Sequence, residues 1–192
     1  MEPLLISAGV VALAEIGDKT QLLAFMLAAR FKRPVPIIAG ILCATIVNHG
    51  LAGAVGAWLT ASIRPEVLRW SLGLSFIGMA VWTLIPDKIE EEESQVARRF
   101  GVFGATLITF FLAEMGDKTQ IATVAMAARF GSPMLVVVGT TLGMLLADVP
   151  AVLVGDRLAA KIPMKLVHTM AATIFAALGL AALLGAGARL GV

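Results

Sequence analysis

Two short runs place charge where the chain is otherwise apolar: Glu15-Ile16-Gly17-Asp18-Lys19-Thr20-Gln21 and Glu114-Met115-Gly116-Asp117-Lys118-Thr119-Gln120. A charged side chain at the centre of a bilayer costs about 2.5–3.5 kcal/mol on insertion scales, so three within five residues need a compensating role. On a continuous helix Glu15 and Asp18 share one face, and Lys19 follows Glu15 by four residues in the favourable acid-before-base order. Glu114, Asp117 and Lys118 repeat the pattern. Gly17 and Gly116 also permit close backbone approach or local unwinding, which would offer carbonyl oxygens to a ligand.

If the two runs meet, four carboxylates face two ammonium groups, and a formal charge of −2 remains. That balance suits one divalent cation. Carboxylate, amide and hydroxyl oxygens are hard ligands for Ca²⁺, Mn²⁺ or Mg²⁺, and Gln21, Gln120, Thr20 and Thr119 are placed to complete a shell around Glu15, Asp18, Glu114 and Asp117. Zinc or copper(I) would call for sulfur or imidazole, which the runs lack. Crowded carboxylates can also accept protons when a metal leaves, so competition for the same oxygens yields metal/proton exchange. The plainer reading is that Glu15 pairs with Lys19, and Glu114 with Lys118, only to fasten helices. It gives no account of Asp18 and Asp117, or of two copies in identical frames.

The elements that must carry these residues follow from composition. The chain has 192 residues, 59% of them apolar, with 15 Lys and Arg and 13 Asp and Glu. Soluble domains average about 45–50% apolar and about 25% charged residues, so a mean hydropathy of +0.92 points to lipid as the solvent. Disordered, nucleic-acid-binding and disulfide-scaffold classes are excluded. Cys43 stands alone, and the net charge of +2 belongs mainly to loops. A spanning helix needs about 20 mostly apolar residues. Residues 34–63, 70–86 and 166–188 qualify without interruption, while 4–29, 102–128 and 130–155 qualify once their embedded charges are accepted. Six spans result.

An offset of 99 residues superposes the two charged runs and continues through Ala28-Ala29-Arg30-Phe31 on Ala127-Ala128-Arg129-Phe130. The recurrence also shows that the first segment is a helix of the mature chain and no cleaved signal. The expected fold is an all-α integral membrane protein with six transmembrane helices in two three-helix repeats. Residues 1–86 form the first repeat, 87–101 a charged cytoplasmic loop, and 102–192 the second. An odd helix count per repeat inverts the second copy in the membrane, as in many secondary transporters with midplane sites. Loop charge agrees: Arg30, Lys32, Arg33, Lys88, Arg98, Arg99, Arg157, Lys161 and Lys165 fall on one side, against Arg64, Arg69, Arg129 and Arg189 on the other. The positive-inside rule makes the first side cytoplasmic and sets both termini outside.

Other polar residues within the spans are Asn48, His49 and Asp148, with His49 and Asp148 in equivalent places of the two halves. They are candidates for proton relay or cation contact, Asp148 more than His49, for which a hydrogen-bonded core role is at least as good. Asp156 and His168 read as interfacial. Gly139 and Gly143, matched by Gly40 and Ala44, form a small-xxx-small pattern that reads as helix packing. The run Glu90 to Glu93 reads as a solvated loop, and the nine methionines as core or lipid contact.

The doubled Glu-x-Gly-Asp-Lys-Thr resembles the signature of the Gdt-type family of calcium and manganese cation/proton exchangers. The resemblance covers essentially the whole chain, and its brief central loop is more similar to bacterial manganese exporters than to organellar members. It implies export of Mn²⁺, or of Ca²⁺ and Mn²⁺, from the cytoplasm in exchange for protons, with the motif acids at Glu15, Asp18, Glu114 and Asp117. A bacterial inner-membrane transporter is expected, with lipid around it, no resident cofactor, no nucleic-acid partner and no enzyme activity. The rival readings are an amino-acid or other small-solute exporter, in which Lys19 or Lys118 would hold a substrate carboxylate, and an intramembrane aspartyl protease.

Overall fold

The charges that interrupt the apolar runs also interrupt the helices. In a computed structural model, which describes residues 1–84, 96–154 and 164–184, every regular element among the described residues is helical. The central acidic loop, Asp156 and the side chain of His168 lie outside the described residues. The elements are α1 (Glu2–Glu15), α2 (Lys19–Phe31), α3 (Pro34–Ser62), α4 (Pro65–Thr83), α5 (Val96–Glu114), α6 (Lys118–Phe130), α7 (Pro133–Val154) and α8 (Met164–Leu183). Proline stands at the start of α1, α3 and α4, where its missing N–H costs nothing.

One expectation is corrected here. Glu15, Asp18 and Lys19 do not share a face of one helix, because the chain leaves the helix after Glu15 and re-enters it at Lys19. The second copy breaks between Glu114 and Lys118 in the same way, and α5 and α6 meet there at a bend of 69°. Gly17 and Gly116 sit at φ of 84° and 77°, a left-handed conformation that a side chain disfavours. Of the two roles open to these glycines, unwinding is the one taken.

By length and apolar character α3 and residues Pro133–Leu153 of α7 are each long enough to cross a membrane, and Phe100–Glu114 with Lys118–Phe130 meet the same criterion only if the bent pair is taken together. The repeat is visible in the packing. α1 lies on α7 as α5 lies on α3, α2 touches α7 as α6 touches α3, and α3 packs against α7 and α4 against α8. The principal contacts thus run between halves, and each apolar core cluster draws on both. Phe76 and Phe175, equivalent under the 99-residue offset, stack on each other at 6.4 Å between ring centroids.

The small-residue pattern works as packing. A Cβ on Gly139 would stand 2.4 Å from the Leu4 carbonyl oxygen and 3.0 Å from the Ser7 Cβ; one on Gly40 would stand 3.0 Å from the Phe103 carbonyl oxygen and 2.7 Å from the Thr106 Cβ. Leu4 and Phe103, and Ser7 and Thr106, are themselves offset equivalents. Gly143 meets the Ala8 carbonyl oxygen in the same seam. These approaches bring α1 and α5 against the opposite half and so fix where their ends, Glu15 and Glu114, arrive.

Gly139→Ala should therefore destabilise the protein by about 1–3 kcal/mol, the usual cost of overpacking. Gly78→Ala, where nothing lies within 4 Å of the added atom, should leave stability unchanged or slightly improved. Thermal unfolding of the two variants in the same detergent separates them.

Candidate functional site

The ends of α1 and α5 deliver Glu15 and Glu114, and the starts of α2 and α6 deliver Lys19 and Lys118, with Asp18 and Asp117 in the N-cap positions. All four acids are buried: Glu15, Asp18 and Glu114 are fully enclosed, and Asp117 is 2% exposed. The ion pairs are crossed between halves. Lys118 Nζ lies 2.5 Å from Asp18 Oδ1, and Lys19 Nζ lies 3.1 Å from Asp117 Oδ1. Pairing of Glu15 with Lys19 inside one repeat, the plainer reading, is not what the structure adopts. Each glutamate is tied to its own aspartate across the helix break by a backbone hydrogen bond, so the crossed pairs bring the acids of both motifs into one region.

Each motif threonine serves its own glutamate. Thr20 Oγ1 donates to Glu15 Oε1, and Thr119 Oγ1 donates to Glu114 Oε2 at 2.8 Å. Each motif glutamine closes its own break, accepting from the Gly17 amide at 2.8 Å and the Gly116 amide at 2.7 Å through Oε1. Backbone amides of Asp18 and Asp117 donate to the Glu15 and Glu114 carbonyls at 3.0 and 3.1 Å. Two acceptors that no sequence pattern flags also take part. Gln21 Nε2 donates to the Ala147 carbonyl, and Asn48 Nδ2 to the Phe111 carbonyl, both at 3.1 Å. A main-chain oxygen carries no residue signature, so only the fold reveals these contacts.

Several oxygens remain without a hydrogen-bond partner: Glu15 Oε2, Glu114 Oε1, both carboxylate oxygens of Asp148 and the amide oxygen of Asn48. His49 is fully buried with both ring nitrogens unpartnered. Buried polar atoms without partners are costly and uncommon, and carboxylate oxygens are hard donors of the kind a proton or a hard cation satisfies. Among the described residues no three acidic, imidazole or thiol side chains close on one point as a ready-made metal cage. The aspartates are held by ammonium groups and the glutamates by hydroxyls, so a cation must compete with partners already in place.

Comparison with known proteins gives this arrangement its context. Residues 3–91 and 102–189 match the family described as "Divalent cation/proton antiporter GDT1". A protein of Vibrio cholerae serotype O1 named "Putative manganese exporter" is 50% identical over 182 residues, covering 94% of this chain and 90% of that protein. A GDT1-like protein 3 of Oryza sativa is 30% identical over 200 residues, 91% of this chain and 71% of the relative. A GDT1-like protein 5 of Arabidopsis thaliana is 28% identical over 218 residues, 93% of each. No solved structure matches the chain.

The two lysines differ in what their loss should cost. Lys118 is 1% exposed against a fully buried carboxylate, whereas the Lys19 side chain is 29% exposed. Removing one partner of a buried pair costs about 3–5 kcal/mol. Lys118→Met should thus lower the unfolding midpoint in detergent clearly more than Lys19→Met; an equal loss would contradict the asymmetry. Both matched segments carry one complete copy of the acidic motif, and the chain belongs to the GDT1 family of divalent cation/proton antiporters.

Proposed function

We propose that the protein exports Mn²⁺ from the bacterial cytoplasm across the inner membrane and takes up protons in return. The observation that carries this reading is the crossed pairing of Lys118 with Asp18 and Lys19 with Asp117, which gathers four acids and two ammonium groups from opposite halves into one buried cluster. Its formal charge of −2 is neutralised equally by one divalent ion or by two protons, and a neutral cluster crosses a low-dielectric barrier far more readily than a charged one. Either loaded form can therefore change conformation, while the unloaded cluster resists doing so. Obligatory exchange follows from that inequality.

In this reading Glu15, Asp18, Glu114 and Asp117 bind the ion, with Gln21 and Gln120 as further oxygen donors once their amides turn from the glycine breaks. Lys19, Lys118, Thr20 and Thr119 set the charge and orientation of the acids. We assign Asn48, His49 and Asp148, all buried, as supporting or proton-coupling groups. Hard oxygen donors accommodate Mn²⁺ and Ca²⁺ alike, and the name of the Vibrio cholerae relative is the reason for placing manganese first. The architecture we propose is six spans in two inverted repeats, with each broken pair, α1 with α2 and α5 with α6, counting as one. The charged connection between α4 and α5 then faces the cytoplasm and both termini face outward, by the loop-charge bias. Antiporter family membership favours this over an amino-acid exporter or an intramembrane protease.

Purified protein in proteoliposomes should move Mn²⁺ against a counterflow of protons. Glu15→Ala, Asp18→Ala, Glu114→Ala and Asp117→Ala should each abolish the flux while the protein remains in the membrane. Normal flux in any two of them, or Mn²⁺ flux with no opposing proton movement, would contradict the proposal.

A further inference from the structure

The two motifs have the same Glu-x-Gly-Asp-Lys-Thr-Gln residues, yet their surroundings differ. Lys118 and Asp18 are sealed at 1% and 0% side-chain exposure, whereas Lys19 is 29% exposed over an enclosed Asp117. The breaks differ in the same sense. Met115 and Gly116 beside the Lys19 pair are exposed, whereas Ile16 and Gly17 beside the Lys118 pair are only half-buried. Gln21 is buried and tied to the Ala147 carbonyl, while Gln120 is less enclosed. The motifs themselves are chemically alike apart from Ile16 and Met115, so either lysine–aspartate pair can in principle take the sealed or the exposed setting. A conformer in which the halves exchange roles would keep both lysine–aspartate pairs and lie within the modest energy gap that a two-state element requires.

We propose that the two crossed lysine–aspartate pairs are the transporter's alternating gates, both formed in this conformer, with Lys118–Asp18 sealed and Lys19–Asp117 accessible from one face of the membrane. A charged amine at this depth faces water or a protein group in preference to lipid, so the exposed Lys19 marks a water-accessible side. A divalent cation arriving there takes the Asp117 carboxylate from Lys19, and the released ammonium turns to that water. Closure of this pair and opening of Lys118–Asp18 then presents the ion to the opposite face. The lysines act as positioning residues: each occupies the other half's aspartate until an ion displaces it. Simultaneous opening would leave a continuous polar path, and the shared cluster opposes it because freeing both ammonium groups leaves four crowded acids uncompensated.

The inference rests on the antiport reading, and one experiment separates the two. The unaltered full chain is reconstituted in sealed vesicles of known orientation, a membrane-impermeant amine-acylating reagent is applied to one face at a time, and modification of Lys19 and Lys118 is read by peptide mass spectrometry while Mn²⁺ flux is recorded on matched vesicles that receive no reagent. At rest Lys19 should react from one face, with Lys118 at least about tenfold slower, given a minor conformer populated at roughly a tenth or less. During Mn²⁺ turnover Lys118 should become reactive from the opposite face. Absence of flux would overturn the manganese antiport reading. Flux accompanied by modification of both lysines from the same face, or by a Lys118 that stays unreactive, would overturn the gates.

Discussion

Four carboxylates cannot be buried together unless something offsets their mutual repulsion and their loss of water, and here the offset comes from the opposite half of the molecule. Lys118 reaches Asp18 and Lys19 reaches Asp117, so neither motif's aspartate finds its counter-charge in its own repeat. Breaking one of these pairs strands a charge in a medium that solvates it poorly. The rest of the fold can be read as the means of bringing these partners together. Glycine seams let α1 and α5 press against α7 and α3, and the motif glycines end each helix where its glutamate has arrived.

The broken helices matter chemically as well as geometrically. A continuous helix would have spent its backbone groups on its own ladder, whereas each break releases an amide that the motif glutamine accepts and sets an aspartate at the head of the next helix. Acids at helix N-termini are favoured by the dipole, which helps to hold Asp18 and Asp117 as charged groups in a buried setting. The threonine that follows each lysine turns back to the glutamate. Every position of the seven-residue motif except the variable Ile16 or Met115 thus has a defined partner or conformational duty.

Much of this was legible in the sequence because a repeat of 99 residues is a strong signal and intramembrane charge is expensive. The acids, the lysines and the meeting of the two motifs all follow from those two facts, and the doubled motif carries the family. Helical face-sharing of Glu15, Asp18 and Lys19 failed because spacing rules assume an unbroken helix, and Gly17 with its left-handed φ removes that assumption. The partner choice of each lysine was hidden for a related reason. A residue four positions away is the default neighbour on a helix, and only tertiary packing places one a hundred positions away at 2.5 Å. The carbonyls of Ala147 and Phe111 were invisible because every residue has one.

The crossed architecture depends on the direct interaction of Asp18 with Lys118, and a double-mutant cycle measures it. Asp18→Asn, Lys118→Met and the double variant are compared by denaturant unfolding in one detergent. The predicted result is a coupling energy in the upper part of the usual range for contacting residues, about 1–3 kcal/mol, with the double variant little worse than either single one. Additive losses within about 0.3 kcal/mol would show that the two residues do not meet and would contradict the crossed architecture.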